Sequence, residues 1–310
     1  MRADRPACST LSLGGGEPLL GTASRYRWWL MVEQPGRWGH DALVDSELPE
    51  EVGARLAGLA DGLGMRVLLI KQRDRPAGAP RRCFVAYTGR QEQRLATFEV
   101  EEPSELLAMD LRALARRRFR GAGRSVRGPL FLVCTHGKHD PCCARLGLPL
   151  FRALADARGA AVWEATHVGG DRFAGNLVCF PHGVYFGRLS PEAAPAVARG
   201  YAEGGIDLRF YRGRSCYPPP IQAAEHFLRR HLDLRGIEDV AVRSHEQRPG
   251  NRHLTGWDTP SGRWVVDVEV VRRPDQMLTC KADHPGHPRG FELRGIAAAP
   301  DRGVPARPSR

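Results

Sequence analysis

The chain has 310 residues, enough to bury one large core or two modest ones, and its 42% hydrophobic and 26% charged content is that of an ordinary globular protein. A formal net charge of +11 raises the question of nucleic acid, but only Lys71, Lys138 and Lys281 among 46 basic residues are lysines and the arginines are scattered along the chain. The one dense run, Arg116-Arg-Arg-Phe-Arg120, reads as a solvated helix end, so no nucleic-acid partner is expected.

From the amino terminus, residues 1–24, including Gly14-Gly-Gly16, read as a flexible lead-in. The apolar run Trp28-Trp-Leu-Met-Val32 ends at the turn-like Gln34-Pro-Gly-Arg-Trp-Gly39. Val52, Leu56, Leu59 and Leu63 recur at helical spacing, and Met65-Arg-Val-Leu-Leu-Ile70 follows as a buried strand. Strand, helix and strand in that order make a βαβ unit. Cys83-Phe-Val-Ala-Tyr87 adds a strand and Leu106 to Phe119 a helix, which closes an N-terminal α/β domain over 25–120. Gly121-Ala-Gly-Arg-Ser125 reads as a linker.

The arrangement then recurs. Pro129-Leu-Phe-Leu-Val133 is a short strand, and a helix from Pro141 to Arg158 turns Leu146, Leu150 and Leu154 inward. Ala161-Val-Trp-Glu164 is the next strand. Leu177-Val-Cys-Phe180 and Val184-Tyr-Phe-Gly187 are joined through Pro181-His-Gly183 as a hairpin, and a helix from Pro191 to Glu203 follows. This order predicts a thioredoxin-like fold over 127–235, with the N-terminal half as a degenerate copy without the clustered cysteines. Residues 236–296 alternate like strands, as in Trp264-Val-Val-Asp-Val-Glu-Val270, and 297–310 read as a disordered tail rich in Pro, Arg and Gly. The fold class is α/β (α+β).

Met1 to Gly16 lacks the apolar stretch of a signal peptide and no window is long enough to span a bilayer. The expected setting is the cytoplasm, without membrane contact, where disulfides are disfavoured and clustered cysteines are metal ligands or catalytic thiols. Cys134 falls just after an apolar strand, and Cys142 and Cys143 fall at the start of a helix, whose unpaired N–H groups favour thiolates and an anionic cluster. Gly137 lets the intervening loop fold over inorganic sulfides. The loop His167-Val-Gly-Gly-Asp171 leaves the neighbouring strand on the same sheet edge, which places His167 beside Cys134.

These segments carry a resemblance. Cys134-Thr-His-Gly-Lys-His-Asp-Pro-Cys-Cys-Ala144, Val162-Trp-Glu-Ala-Thr-His-Val-Gly-Gly170, Arg172-Phe-Ala-Gly-Asn176 and Tyr185-Phe-Gly-Arg-Leu189 resemble the sucrase/ferredoxin-like family. So do Glu17-Pro-Leu19, Gly21-Thr-Ala23, Glu33-Gln-Pro-Gly-Arg-Trp-Gly39, Arg212-Gly-Arg-Ser215 and Gln222-Ala-Ala-Glu225, so the likeness runs from about Cys8 to Arg230. The resemblance implies a thioredoxin-like ferredoxin with a [2Fe–2S] cluster held by two cysteines and the two histidines of a His-x-Gly-Gly-His loop. On this chain the implied ligands are Cys134, Cys143 and His167, and the fourth position departs from the pattern as Asp171. Three readings follow: Asp171 ligates, Cys216 replaces it, or the cluster is labile or absent. Cys142, His136 and His139 are nearer alternative ligands that fit the resemblance less well, and His136, Gly137, Gly169, Gly170, Arg172 and Asn176 are expected around the ligands.

The implied function is electron transfer to an unidentified redox partner, whose acidic surface the basic chain would steer. Imidazole ligands raise a cluster's potential above that of an all-thiolate one. Two alternatives use the same residues: a thiol oxidoreductase with Cys142 or Cys143 as nucleophile, and a zinc-binding module. Sugar hydrolysis needs two opposed carboxylates, and no such pair is marked. Cys8, Cys83, Cys179 and Cys280 stand alone in the sequence and read as small core residues.

Overall fold

The computed structural model describes residues 5–300 except 74, 77, 117 and 122. Helix α1 (Cys8–Gly14) precedes strand β1 (Trp28–Glu33), helix α2 (Glu50–Leu63), and strands β2 (Met65–Lys71), β3 (Arg81–Thr88) and β4 (Gln93–Val100). Short helices α3 (Glu105–Ala108) and α4 (Leu111–Arg116) and strand β5 (Arg124–Ser125) end the first half. The second half holds β6 (Leu130–Cys134), α5 (Pro141–Arg158), β7 (Val162–Ala165), β8 (Leu177–Phe180), β9 (Val184–Phe186), α6 (Ala194–Ala202), β10 (Tyr211–Arg214) and α7 (Pro219–Leu232). A meander of β11 (Ala241–Arg248), β12 (Arg252–Thr259), β13 (Gly262–Arg272) and β14 (Arg289–Ala298) follows.

Ten strands form one sheet in the order β10-β9-β8-β6-β7-β2-β1-β3-β4-β5. Each half runs strand, helix, parallel strand, then two antiparallel strands: β1 pairs parallel with β2 and antiparallel with β3, as β6 pairs with β7 and β8. The halves therefore share a topology, as the repeated pattern of the sequence predicts. They are not separate layers, however. β2 pairs antiparallel with β7 through Ile70–Ala165 and Lys71–Glu164, so the expected domains 25–120 and 127–235 continue one sheet. Both strands are largely buried, with the charged pair Lys71 and Glu164 only partly so, and joining them removes two exposed strand edges at once.

The helices obey local signals. Glu50 and Glu51 sit in the first turn of α2, where the helix dipole favours carboxylates, and Gly64 closes it with φ +57°. Asp140 caps α5 by accepting the Cys142 N–H at 2.8 Å, and Pro141 follows at the first helical position. Gly147 allows α5 to lie against β6, because a Cβ there would come within 2.0 Å of the Cys134 carbonyl oxygen.

Several expectations are corrected. The lead-in expected over 1–24 contains α1, with Cys8, Ser9 and Ser12 buried, because its small side chains allow close packing against the segment Asp171–Phe173. The region Leu106 to Phe119 forms two short helices instead of one, and Phe119 is buried within the basic run, stacking edge-on with Trp28. The linker supplies β5, and the tail expected from 297 begins inside β14; residues 301–310 lie outside the described residues. No helix among the described residues is long and apolar enough to cross a membrane.

The four-stranded meander packs on α7 through Ile221, Leu228, Trp257, Val266 and Val268. Within α7, Glu225 and Arg229 form a fully buried ion pair at 2.9 Å; Glu225 also accepts from Tyr211, and Arg229 donates to the carbonyls of Gly236 and Ile237. Breaking such a pair on one side strands a charge in a dry interior. Glu225→Ala is therefore expected to lower stability by about 3–5 kcal/mol in urea titration, and Glu225→Gln, which keeps the acceptor for Tyr211, by less.

Candidate metal centre

Cys134 ends β6, with its N–H bonded to the Asn176 carbonyl, while the next N–H, of Thr135, reaches Ala165 on β7. In the parallel ladder Cys134 stands opposite Ala165, two residues before His167. The loops leaving the two strands consequently meet. The donor atoms of Cys134, Cys143 and His167 lie within 4.8 Å of one another, and so do those of His139, His167 and Asp171. Cys143 Sγ is 3.3 Å from Asp171 Oδ1, and His167 Nδ1 is 2.8 Å from the same oxygen.

The electrostatics are those of a chain of alternating charges. The neighbouring Cys143 thiol is the largest cause that holds Cys134 well below the ordinary thiol range, with the His167 ring adding to it. The same pairing pushes Cys143 up. Burial alone would push His167 down, but its contacts with Asp171 and Cys134 outweigh that and raise it to about 9. Burial likewise disfavours ionised Asp171, yet the neighbouring imidazole holds the carboxylate below its usual range. Although close to Asp171, His167 Nδ1 is buried and has no aligned hydrogen-bond partner. A buried imidazole nitrogen next to two sulfurs and a carboxylate is a donor set that fits a metal or iron–sulfur centre.

The surrounding residues hold these donors in place. His136 is buried, accepts the His167 N–H at Nδ1 (3.3 Å) and meets the Gly39 carbonyl at Nε2 (2.7 Å), which fixes the tautomer with the proton on Nε2. Gly169 and Gly170 take φ of +104° and +81° to turn the loop, and Asn176 donates to the Gly170 carbonyl. Gly137 faces α5, where a Cβ would stand 2.7 Å from that of Ala144. Arg172 points away to Glu17 (2.9 Å) and lies over Phe173.

Cys216 does not join the group. It lies in the core beneath the meander, with Tyr217, Ile221 and Trp257. Cys142, beside Cys143 in sequence, faces Cys8 and Cys280 instead. His139, weighed with His136 as a nearer alternative ligand, stacks on His167 with ring centroids 3.8 Å apart. One neighbour was missed in the sequence. Arg212 is fully buried and donates to the Gly169 carbonyl, Asn176 Oδ1 and Thr22, clamping the histidine loop from 43 residues away.

Gly170→Ala tests this clamp. Its φ of +81° disfavours a side chain, and a Cβ would come within 2.3 Å of Arg212 Nη2. The variant is expected to lose about 1–3 kcal/mol in denaturant unfolding.

Over 96 residues the chain is 33% identical to altered inheritance of mitochondria protein 32 of Meyerozyma guilliermondii, covering 27% of this chain and 34% of that protein. The protein of the same name from Clavispora lusitaniae is 33% identical over 95 residues, covering 28% and 35%. The chain thus spans about a third of the length of the curated relatives it matches. Two solved structures of the thioredoxin-like [2Fe–2S] ferredoxin from Aquifex aeolicus, one a variant, are 18% and 17% identical, with TM-scores of 0.24 and 0.26. They cover 27% and 30% of this chain and 96% and 97% of those chains. The sucrase/ferredoxin-like family model matches residues 19–213, well over half of the chain, and the chain belongs to that family.

Proposed function

We propose that this protein is an electron carrier that holds a [2Fe–2S] cluster on Cys134, Cys143, His167 and Asp171. The observation that carries this reading is the convergence of two strand-end loops that brings the donor atoms of Cys134, Cys143 and His167 within 4.8 Å of one another, with Asp171 against the imidazole. Such a cluster, when bound, supplies one-electron chemistry whose potential follows ligand charge, hydrogen bonding and exposure. The chain's own residues set those terms. Cys134 at the end of β6 and Cys143 in the first turn of α5 are buried and bring the two sulfurs, while the Arg212 clamp and His136 fix the backbone of the histidine loop. His167 keeps 20% of its side chain accessible, and with His139 and His40 it lines a cleft of about 260 Å³, a short route for electrons to the surface. The net charge of +11 favours an acidic partner on that face or near it.

Thiol exchange at Cys142 or Cys143 gains no support, since the two residues are 1% and 0% exposed and an attacking thiolate needs access. A single zinc ion on the same four residues is favoured by one distance, the 3.3 Å between Cys143 Sγ and Asp171 Oδ1, which suits ligands on a common ion.

Elemental analysis after anaerobic purification separates the two readings. The cluster requires about two irons and two sulfides per chain, a red-brown visible spectrum and a reduced-state paramagnetic signal. Cys134→Ser and Cys143→Ser should each abolish the colour. Asp171→His, which restores a second imidazole, should keep the iron and move the potential upward, towards the roughly −150 to +300 mV span of two-histidine centres. Colourless wild-type protein with one zinc, lost in Cys134→Ser, would overturn the cluster.

A further inference from the structure

A second group of sulfurs lies on the other side of the first turn of α5. Cys8, Cys142 and Cys280 come from α1, from the start of α5 and from the loop 273–288 between β13 and β14, the outer two 134 and 138 positions from Cys142. Their Sγ atoms form a near-equilateral triangle with sides of 3.6, 3.4 and 3.5 Å. Asp140 stands beside them, its carboxylate oxygens 3.9 and 3.8 Å from Cys8 Sγ, and all four donor atoms lie within 4.8 Å of one another. Cys8, Asp140 and Cys142 are buried; Cys280 is partly exposed, which leaves a way in.

We propose that Cys8, Cys142, Cys280 and Asp140 form a second, mononuclear metal site for a thiophilic divalent ion of the zinc class, separate from the centre at His167.

Three features carry it. The first is size. With metal–sulfur bonds of about 2.3 Å, tetrahedral ligands stand roughly 3.8 Å apart, and a triangle of this size leaves the ion about 1.1 Å out of the sulfur plane, towards a fourth donor. The second is number: three thiols cannot all pair as disulfides, and without a shared ligand the buried Cys8 and Cys142 are left poorly solvated. The third is support. Asp140 accepts N–H groups from Cys142 (2.8 Å) and Cys280 (2.7 Å), the Cys8 N–H points at Cys280 Sγ (3.4 Å), and Ser9 Oγ lies 3.3 Å from Cys142 Sγ. These contacts orient the ligands and relieve thiolate charge, which is how surrounding residues sustain metal sites. The long β13–β14 loop has few apolar side chains of its own to hold it down, so the ion would tie it and α1 to the helix that carries Cys143. Metal-binding free energy then becomes folding free energy for the joined segments.

Cobalt is the probe. Full-length Cys134→Ser protein, which lacks the first centre's thiolate, is titrated anaerobically with Co²⁺. It is expected to bind one equivalent, with strong near-ultraviolet thiolate-to-cobalt absorption and the visible bands of tetrahedral cobalt, and Zn²⁺ should displace it. Adding Cys8→Ser and Cys280→Ser should weaken cobalt binding by more than about tenfold. In the wild-type background those two changes should remove the second metal and leave the first centre's metal content and spectrum in place. Cys280→Ser alone, on a partly exposed loop, gives the same reading if the double variant does not fold. The proposal is overturned if Cys134→Ser protein shows no thiolate–cobalt absorption, or if Cys280→Ser binds cobalt as tightly as its parent. A Cys8, Cys142 or Cys280 disulfide found by mass spectrometry in anaerobically purified protein would overturn it as well. Because cobalt is read in a chain that cannot complete the first centre, failure of the electron-carrier reading leaves this result standing.

Discussion

The parallel pairing of β6 with β7 is the constraint on which the rest of the site depends. Its register sets Cys134 opposite Ala165, and the chain needs only Thr166 to reach His167. Since side chains alternate across a sheet, a slip of one residue would send the Cys134 sulfur to the opposite face and the two loops would no longer meet. The register is held by burial on both faces, with Leu130 to Cys134 and most of β7 in the core. It is also held from the first half of the molecule. Thr166 exchanges hydrogen bonds with Leu69 on β2, through its N–H and its hydroxyl, and Arg66 reaches the His167 carbonyl. The repeated half without the clustered cysteines therefore braces the half with them.

Charge is the second constraint. A thiolate and a carboxylate close together need positive charge nearby, and the imidazole of His167 supplies part of it. Arg212 supplies more. Burial pushes its guanidinium down to about 10, with Tyr185, Asp171 and Cys134 acting in the opposite direction. A fully buried arginine is costly unless its donors are used, and here they are used on the carbonyls and amide that shape the histidine loop. An aspartate at residue 171 adds negative charge where a second imidazole would add none, and the buried guanidinium offsets it. The clamp and the carboxylate of Asp171 belong to one electrostatic arrangement.

Much of this was legible in the sequence. Apolar runs and helical spacing located β1, α2, β2, β6, α5 and the β8–β9 hairpin closely, because those elements are buried and periodic. The meeting of Cys134 with His167 followed from βαβ geometry alone. What was not legible depends on edges and on long-range packing. Nothing in the pattern of β2 or β7 says that the two strands pair with each other, since a buried strand reads the same wherever its edge goes. Helix α1 escaped because Cys8 to Gly14 is short and rich in small residues, so its burial comes from close fit and not from an apolar stripe. Cys8 and Cys280 looked solitary for the same reason: each is brought to Cys142 by elements whose docking no local signal encodes.

The adjacency of Cys142 and Cys143 acquires a meaning from helix geometry. Successive residues of a helix point about 100° apart, so two neighbouring cysteines at a helix start cannot serve one compact site equally well. Cys143 turns towards β6 and the histidine loop, and Cys142 turns towards α1 and the β13–β14 loop. One turn of α5 thus presents sulfur to both sides, and Asp140 caps that turn while holding Cys280. Any shift of the cap displaces both sulfurs together. The vicinal pair, a poor substitute for the spaced cysteines of thiol exchange, is well suited to joining two separate environments through one rigid element.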